Sequence, residues 1–300
     1  MAFAAKMIAD SVNPYGQRIT SLALTYPRFI HSEFMTHRDR ARNSASSRAI
    51  PWPKMAKQIQ DEPVIPIRFG SEQKGMQTGG EVDDVTAATA IWLKARDAAL
   101  AAAHEMAALG VHKSIVNRIT EPYMWITVVT TATDWRNLFR LRKHGDAEIH
   151  FQELMGHVEP AMAESTPKQL EVGEWHLPFV SGAEMKEIEA WQQALPRGLS
   201  DSDNFEPNPR RWDKHLAQKI STARCARVSY LTHDGKRDFE ADLTLFDRLV
   251  QGSGFGHMSP HEHVAMAVTR DVRSGPFRGF VQYRKFFSNE NADDQPAGVL

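Results

Sequence analysis

Residues 19–48 read ITSLALTYPRFIHSEFMTHRDRARNSASSR, and the rest of the chain is best understood outward from them. The first eight, ITSLALTY, alternate polar and apolar side chains. That is the period of a strand with one face in a core, and Pro27 stops it. Residues 31–48 form the most arginine-dense stretch and are expected to be a helix running into a loop. Over residues 37–48, Arg38, Arg40, Arg42 and Arg48 stand with His37, Asn43, Ser44, Ser46 and Ser47 against one acid, Asp39. Guanidinium forks grip phosphate oxygens in pairs, and hydroxyls and amides complete such a cradle. The plainer reading is a solvated basic face, or a contact for RNA.

Composition narrows the classes. Lys+Arg of 36 nearly balances Asp+Glu of 37, so no global charge draws the protein to nucleic acid, and basic character is local. A hydrophobic fraction of 42% suffices for a sizeable core in one domain of 300 residues. The single cysteine, Cys225, excludes an internal disulfide and suits a reducing compartment. No apolar run approaches the ~20 residues of a membrane span. The first residues lack a signal peptide's basic start and apolar core, so a cytoplasmic location is expected.

Downstream, residues 51–80 are rich in Pro and Gly and read as a loop or lid. Residues 83–109 have an acidic start, an alanine-rich body and Gly110 as a stop, which predicts a strong helix. A short helix over residues 111–119 precedes Pro122, residues 123–131 (YMWITVVTT) read as a strand, and Asp134 is placed to cap a helix through Trp135, Leu138 and Phe139. Helices are further expected over 147–164, 214–227 and 238–251, and a strand over 263–268. Residues 165–212 mix Pro, Gly, Ser and Asp with three tryptophans and read as an insertion wrapped on the surface.

Several groups can carry chemistry. Arg142 takes the next position of the apolar stripe through Trp135, Leu138 and Phe139, and Arg118 lies beside the stripe of Val111, Ile115 and Ile119. A buried guanidinium needs a carboxylate or a bound anion; otherwise each snorkels to the rim or pairs with Glu121 or Asp146. The run His257-Met258-Ser259-Pro260-His261-Glu262-His263 invites a zinc reading, but Pro260 breaks the helix that the spacing would need. A polar turn feeding a strand fits better, leaving Ser259 and Glu262 to contact a ligand, and no metal site is expected. Cys225 has no histidine partner in sequence and reads as a structural thiol. Neither a Gly-rich dinucleotide fingerprint nor a phosphate-binding P-loop occurs.

Together these pieces resemble flavin-dependent thymidylate synthase. Its signature, R-H-R, two residues, S, one residue, N-E, one residue, S, one residue, R, aligns with residues 36–48. His37, Arg38, Asn43, Ser46 and Arg48 keep register, while Thr36, Ala41 and Ser44 depart from it. Arg118-Ile119-Thr120-Glu121-Pro122 is similar to the family's arginine–apolar–proline segment. Asn137-Leu138-Phe139-Arg140-Leu141-Arg142 is similar to its N-x-x-x-L-R helix. Two segments that normally precede the signature lie later here: Ala226-Arg227-Val228-Ser229 and the turn over residues 257–263. Phe280-Val281-Gln282-Tyr283-Arg284 with Asn289-Glu290 looks like a second partial signature. The order implies a circular permutation with overlap, and phage-encoded relatives share this general appearance.

The resemblance implies an α+β fold, an antiparallel or mixed sheet with flanking helices, in a homotetramer whose sites are shared between subunits. It implies FAD reduced by NADPH, methylenetetrahydrofolate as one-carbon donor, and dUMP methylated at C5. Carried over residue by residue, Arg142 and Arg118 are catalytic. The substrate is bound by Ser46, Arg48, Arg118, Leu141, Arg142, Gln282, Arg284 and Glu290. The flavin is bound by His37, Arg38, Asn43, Asn137, Ser229 and Ser259. C5 methylation or hydroxymethylation of dCMP is the alternative chemistry, which the departures at Thr36 and Ser44 keep open. A non-enzymatic nucleotide- or RNA-binding protein is the alternative class. No stable nucleic-acid partner is expected in the enzymatic readings.

Overall fold

The computed structural model describes residues 1–194, 215–230, 237–251 and 257–287. Nine N-terminal residues form β1 (Ala4–Val12), which turns at Gly16 (φ +77°) into β2 (Arg18–Pro27). The hairpin register runs from Ala4 opposite Thr25 to Val12 opposite Arg18. After α1 (His31–Met35) the arginine-rich stretch straightens into β3 (Ala41–Ser44), where a loop was expected. The reason is pairing: β3 lies antiparallel on β4 (Trp125–Ala132), Ala41 opposite Thr131 and Ser44 opposite Val128. Short β5 (Lys168–Gln169) adds parallel to β1, giving a mixed sheet of order β3-β4-β2-β1-β5.

Both faces of this sheet are covered. Leu22, Leu24 and Tyr26 of β2, with Ile126 and Val128 of β4, pack against α6 (Ile149–Ala163) through Phe151, Leu154, Met155 and Val158. Each such buried side chain contributes roughly 2 kcal/mol relative to its exposed state. The half-buried strand expected over residues 19–26 is therefore buried almost throughout, because its polar positions also meet protein. The opposite face receives a second sheet, β10-β7-β6 (Phe280–Gln282, Ala265–Ala267, Trp175–His176). Ile19, Ala41, Leu170, Ala265, Ala267, Phe277 and Phe280 form the core between them.

Polar atoms in that interface are linked in series. Ser11 Oγ lies 2.9 Å from His176 Nδ1, His176 Nε2 lies 2.9 Å from Ser21 Oγ, Ser21 Oγ lies 2.5 Å from Thr131 Oγ1, and Thr131 Oγ1 lies 2.8 Å from His263 Nδ1. This corrects the expectation of a surface insertion over residues 165–212. Leu170 and His176 are buried, and β5 and β6 belong to the sheets; residues 195–212, with Trp212, lie outside the described residues.

The remaining helices follow their local signals. The segment read as a loop or lid opens with α2 (Trp52–Asp61), started by Pro51 at its N-cap. Its continuation is largely non-helical. In α3 (Val85–Ala108) the Asp84 carboxylate accepts from Ala87 N–H, and Gly110 at φ +79° ends the run. Next come α4 (Lys113–Val116), a 3-10 helix (Asn117–Tyr123) and α5 (Arg136–Arg142). Three helices, α7 (Gly182–Ala194), α8 (Leu216–Arg227) and α9 (Phe239–Gln251), are joined by buried charge. Arg224 Nε donates to Asp242 at 2.9 Å and its Nη1 to Glu184 at 2.8 Å. Partners on both sides make that guanidinium tolerable in a helix with so little exposure. Cys225 beside it is buried, and burial pushes its thiol up. No helix among the described residues is long and apolar enough to cross a membrane.

Candidate functional site

The candidate site is built on β3 and the turns at its two ends. At the entry turn, Arg42 Nη1 donates to the carbonyls of Met35 and His37, both at 2.8 Å, which pins the link from α1 to β3. Arg40 is buried against Asp39 and stacks on Trp135, its Cζ 4.7 Å from the ring centroid. Asn43 points inward and its Nδ2 lies 3.5 Å from the carbonyl of Cys225.

Beyond β3, the chain is clamped from two directions. Ser46 N–H donates to the Ser229 carbonyl at 3.1 Å. Asn117, fully buried, donates from Nδ2 to the Ser47 carbonyl at 2.5 Å and the Ile50 carbonyl at 3.0 Å. Ser47 Oγ reaches Glu121, which also pairs with Arg28 at 3.0 Å. Arg48 and Arg118 are thus each one residue from the Ser47–Asn117 bond. Both are exposed and form no ion pair among the described residues.

Arg118 was placed beside an apolar face by a 3.6-residue period. The backbone there is 3-10 from Asn117, so the period shortens and the side chain emerges into solvent while Asn117 turns in. Arg142 differs. Its Nε donates to His37 Nε2 at 2.9 Å, its Nη1 to Glu33 at 2.8 Å, and it stacks on Phe151 at 4.6 Å. Its carboxylate is Glu33, not Asp146. Burial, then the guanidiniums of Arg142 and Arg40, hold His37 down at about 4. The imidazole is therefore neutral at pH 7 and accepts from Arg142 through Nε2, leaving its proton on Nδ1. Leu141 beside it is exposed.

The histidine turn folds as a 3-10 helix (Ser259–Glu262) before β7. His261 and His263 are both buried, and burial holds them near 4 and 3. Ser259 is exposed, but Glu262 is not free: it pairs with Arg284 at 2.6 Å, and its carbonyl accepts from Gln282 Nε2 at 3.2 Å. Gln282 and Arg284, nominated for substrate, thus hold this turn. Glu290 lies outside the described residues.

Besides Asn43 within β3 and Gln282 and Arg284 at the histidine turn, the nominated residues among the described ones fall into three groups. Ser46, Arg48 and Arg118, with Ser229, gather at the far end of β3. Arg142 and His37 meet at its near end, with Leu141 exposed beside Arg142. Arg38, Asn137 and Ser259 are exposed side chains not joined to either. Neither of two clefts, about 730 and 740 Å³, is lined by any of them. For a flavin, His37 and Asn43 are buried and already engaged within the chain. Arg38, Asn137, Ser229 and Ser259 offer donors without an enclosing wall. Among the described residues, these side chains do not enclose a flavin ring.

Two residues went unnoticed in the sequence. Glu33 carries no local signal for pairing with Arg142, and Asn117 falls on the face opposite Val111, Ile115 and Ile119 when a helical period is assumed.

The molecule is an α+β protein with a mixed sheet and flanking helices. No protein-family model and no curated protein matches the chain. Among solved structures, it is similar to a UMP/dUMP methylase, PolB from Streptomyces cacaoi, bound with 5-Br dUMP. The identity is 12%, the TM-score 0.44, and the match covers 54% of this chain and 91% of that one. The same methylase bound with 5-Br UMP gives 12% identity, a TM-score of 0.46, and 54% and 89% coverage. Likenesses this faint do not bear on chemistry.

Proposed function

We propose that this chain modifies a pyrimidine deoxynucleotide at C5, methylating dUMP to dTMP with methylenetetrahydrofolate as carbon donor and FAD and NADPH as redox partners. One observation supports the reading. The separated segments that resemble flavin-dependent thymidylate synthase converge on β3: residues 117–121 through Asn117 and Glu121, residues 225–229 through Asn43 and Ser46, and Arg142 through His37. The histidine turn packs against β3, and Arg284 and Gln282 bind that turn. A circularly permuted signature predicts such convergence; a solvated basic face does not.

In this reading, Ser46, Arg48 and Arg118 hold the phosphate, so the reacting base is presented at fixed distance and orientation. Arg142, fixed by Glu33, His37 and Phe151, faces the pyrimidine's carbonyl edge and stabilises negative charge that collects there as C5 becomes nucleophilic. Neutral His37 serves as the acceptor that keeps the guanidinium in its plane. Leu141 packs on the base, and Gln282, Arg284 and Glu290 contribute from the second partial signature. Arg38, Asn137, Ser229 and Ser259 would hold the flavin, with His37 and Asn43 fixing the chain around them, and the flavin when bound would supply the hydride. In this reading a second copy of the chain completes the flavin site, in a homotetramer.

The test is colour and turnover. Purified protein should take up FAD, show flavin absorbance, and convert dUMP in the presence of methylenetetrahydrofolate and NADPH. Conversion of dCMP alone would replace the substrate. A protein that stays colourless with added FAD and turns over neither nucleotide would leave a nucleotide- or RNA-binding role instead.

A further inference from the structure

A cleft of about 730 Å³ lies where the β1–β2 turn, the start of α5, the end of α6 and a hairpin formed by β8 (Arg273–Ser274) and β9 (Phe277–Arg278) meet. Its volume is that of a small-ligand site. Arg18, Arg136, Arg270, Arg273 and Arg278 line it against Asp134 and Asp271, a formal excess of three positive charges on a chain whose net charge is −1. Two of these arginines are satisfied within the protein, Arg18 by a two-pronged contact with Asp10 and Arg136 by Asp134. Arg270, Arg273 and Arg278 are exposed and form no ion pair among the described residues, although Arg278 lies near enough to Asp134 to help lower its carboxyl.

The hairpin sets Arg273 directly opposite Arg278. Like charges in that position destabilise a strand pair, and an anion held between them reverses the sign. The hairpin is nonetheless firmly held. Arg278 N–H donates to Thr133 Oγ1 at 3.2 Å, and Asn13 Nδ2 donates to the carbonyls of Val268 and Gly279 at 3.1 and 3.0 Å. Gly279 sits at φ +70°, where a Cβ would come within 2.6 Å of Asn13 Nδ2. Phe139 and Met162 supply an apolar wall beside the guanidiniums.

We propose that this cleft binds a nucleoside polyphosphate, its phosphates held by Arg270, Arg273 and Arg278 and its base against Phe139 and Met162. The cleft shares no lining residue with Ser46, Arg48, Arg118 or Arg142, and the proposal does not depend on the function proposed above. Titration calorimetry of the full chain at low salt with ATP, dTTP and inorganic tripolyphosphate tests it. A triphosphate nucleotide should bind on the order of tenfold tighter than tripolyphosphate, and Arg273→Glu should weaken it by about tenfold or more. That substitution puts opposite charges across the hairpin, so the thermal midpoint should not fall. Arg278→Gln, which removes charge without reversing it, should weaken binding in the same direction, and Arg48→Ala should not alter it. The proposal is overturned if neither nucleotide binds, if tripolyphosphate binds as tightly as the nucleotides, if both hairpin variants bind normally, or if Arg48→Ala weakens binding as much as they do.

Discussion

The buried series of side chains through His176 and His263 makes a quantitative demand on behaviour in acid. Burial pushes both imidazoles from the ordinary 6.5 down to about 3, and for His176 the neighbouring His263 adds to the effect. Between those values the unfolded chain binds more protons than the folded one. Stability is therefore flat above about pH 6.5 and is lost as pH falls toward 3. At pH 5 the unfolded imidazole sits about 1.5 units above the solution pH, and at 1.36 kcal/mol per unit each histidine costs about 2 kcal/mol and the pair about 4. That is a large share of the 5–15 kcal/mol, roughly, that holds a domain folded. The perturbation is His176→Asn, which keeps a donor and an acceptor for Ser11 and Ser21 and removes the titrating group. Denaturant unfolding of both proteins at pH 7 and pH 5 isolates it. His31, His37 and His261, each held at about 4, titrate in both proteins and cancel in the difference. The parent should lose about 2 kcal/mol more than the variant on acidification. Equal losses in the two would refute the reasoning.

Three further outcomes are expected. Arg142→Ala should lower kcat for dUMP by on the order of 100-fold with a smaller change in KM, read by steady-state kinetics; unchanged kinetics would remove its role. Asn117→Ala should cost about 3 kcal/mol in denaturant unfolding, because it strands the Ser47 and Ile50 carbonyls in a buried site, and should raise the nucleotide concentration needed for half-saturation. Gly279→Ala should cost about 2 kcal/mol by strain at positive φ and by crowding Asn13, read as a lower thermal midpoint.

Much of the architecture was legible because it follows local rules. The strand of residues 19–26 and the helix closed by Gly110 appear close to where period and capping put them. Three features were not. The strand β1 has neither clean alternation nor β-branched density, and it forms because β2 offers it a paired edge. β5 and β6 are two-residue strands with no periodic pattern of their own, and only pairing to distant partners defines them. Arg118, expected beside an apolar face, emerges into solvent and Asn117 turns in because a 3-10 turn replaces an α-helical one. The candidate site divides likewise: the signature motif nominated residues at both ends of β3, but Glu33, the partner that orients Arg142, is fixed by tertiary contact and carries no local signal.

The two-faced covering of the main sheet has a consequence for how the molecule is made. A ribosome that has released only the first 163 residues has produced β1, β2, β3 and β4 with α6 dry against one side. On the other side, Ser21 gains His176 soon afterwards, but Thr131 and Ile19 still await His263 and Phe280, which are synthesised much later. The nascent protein therefore spends much of its translation with an unfinished sandwich, and the last strands to emerge are the ones that close it.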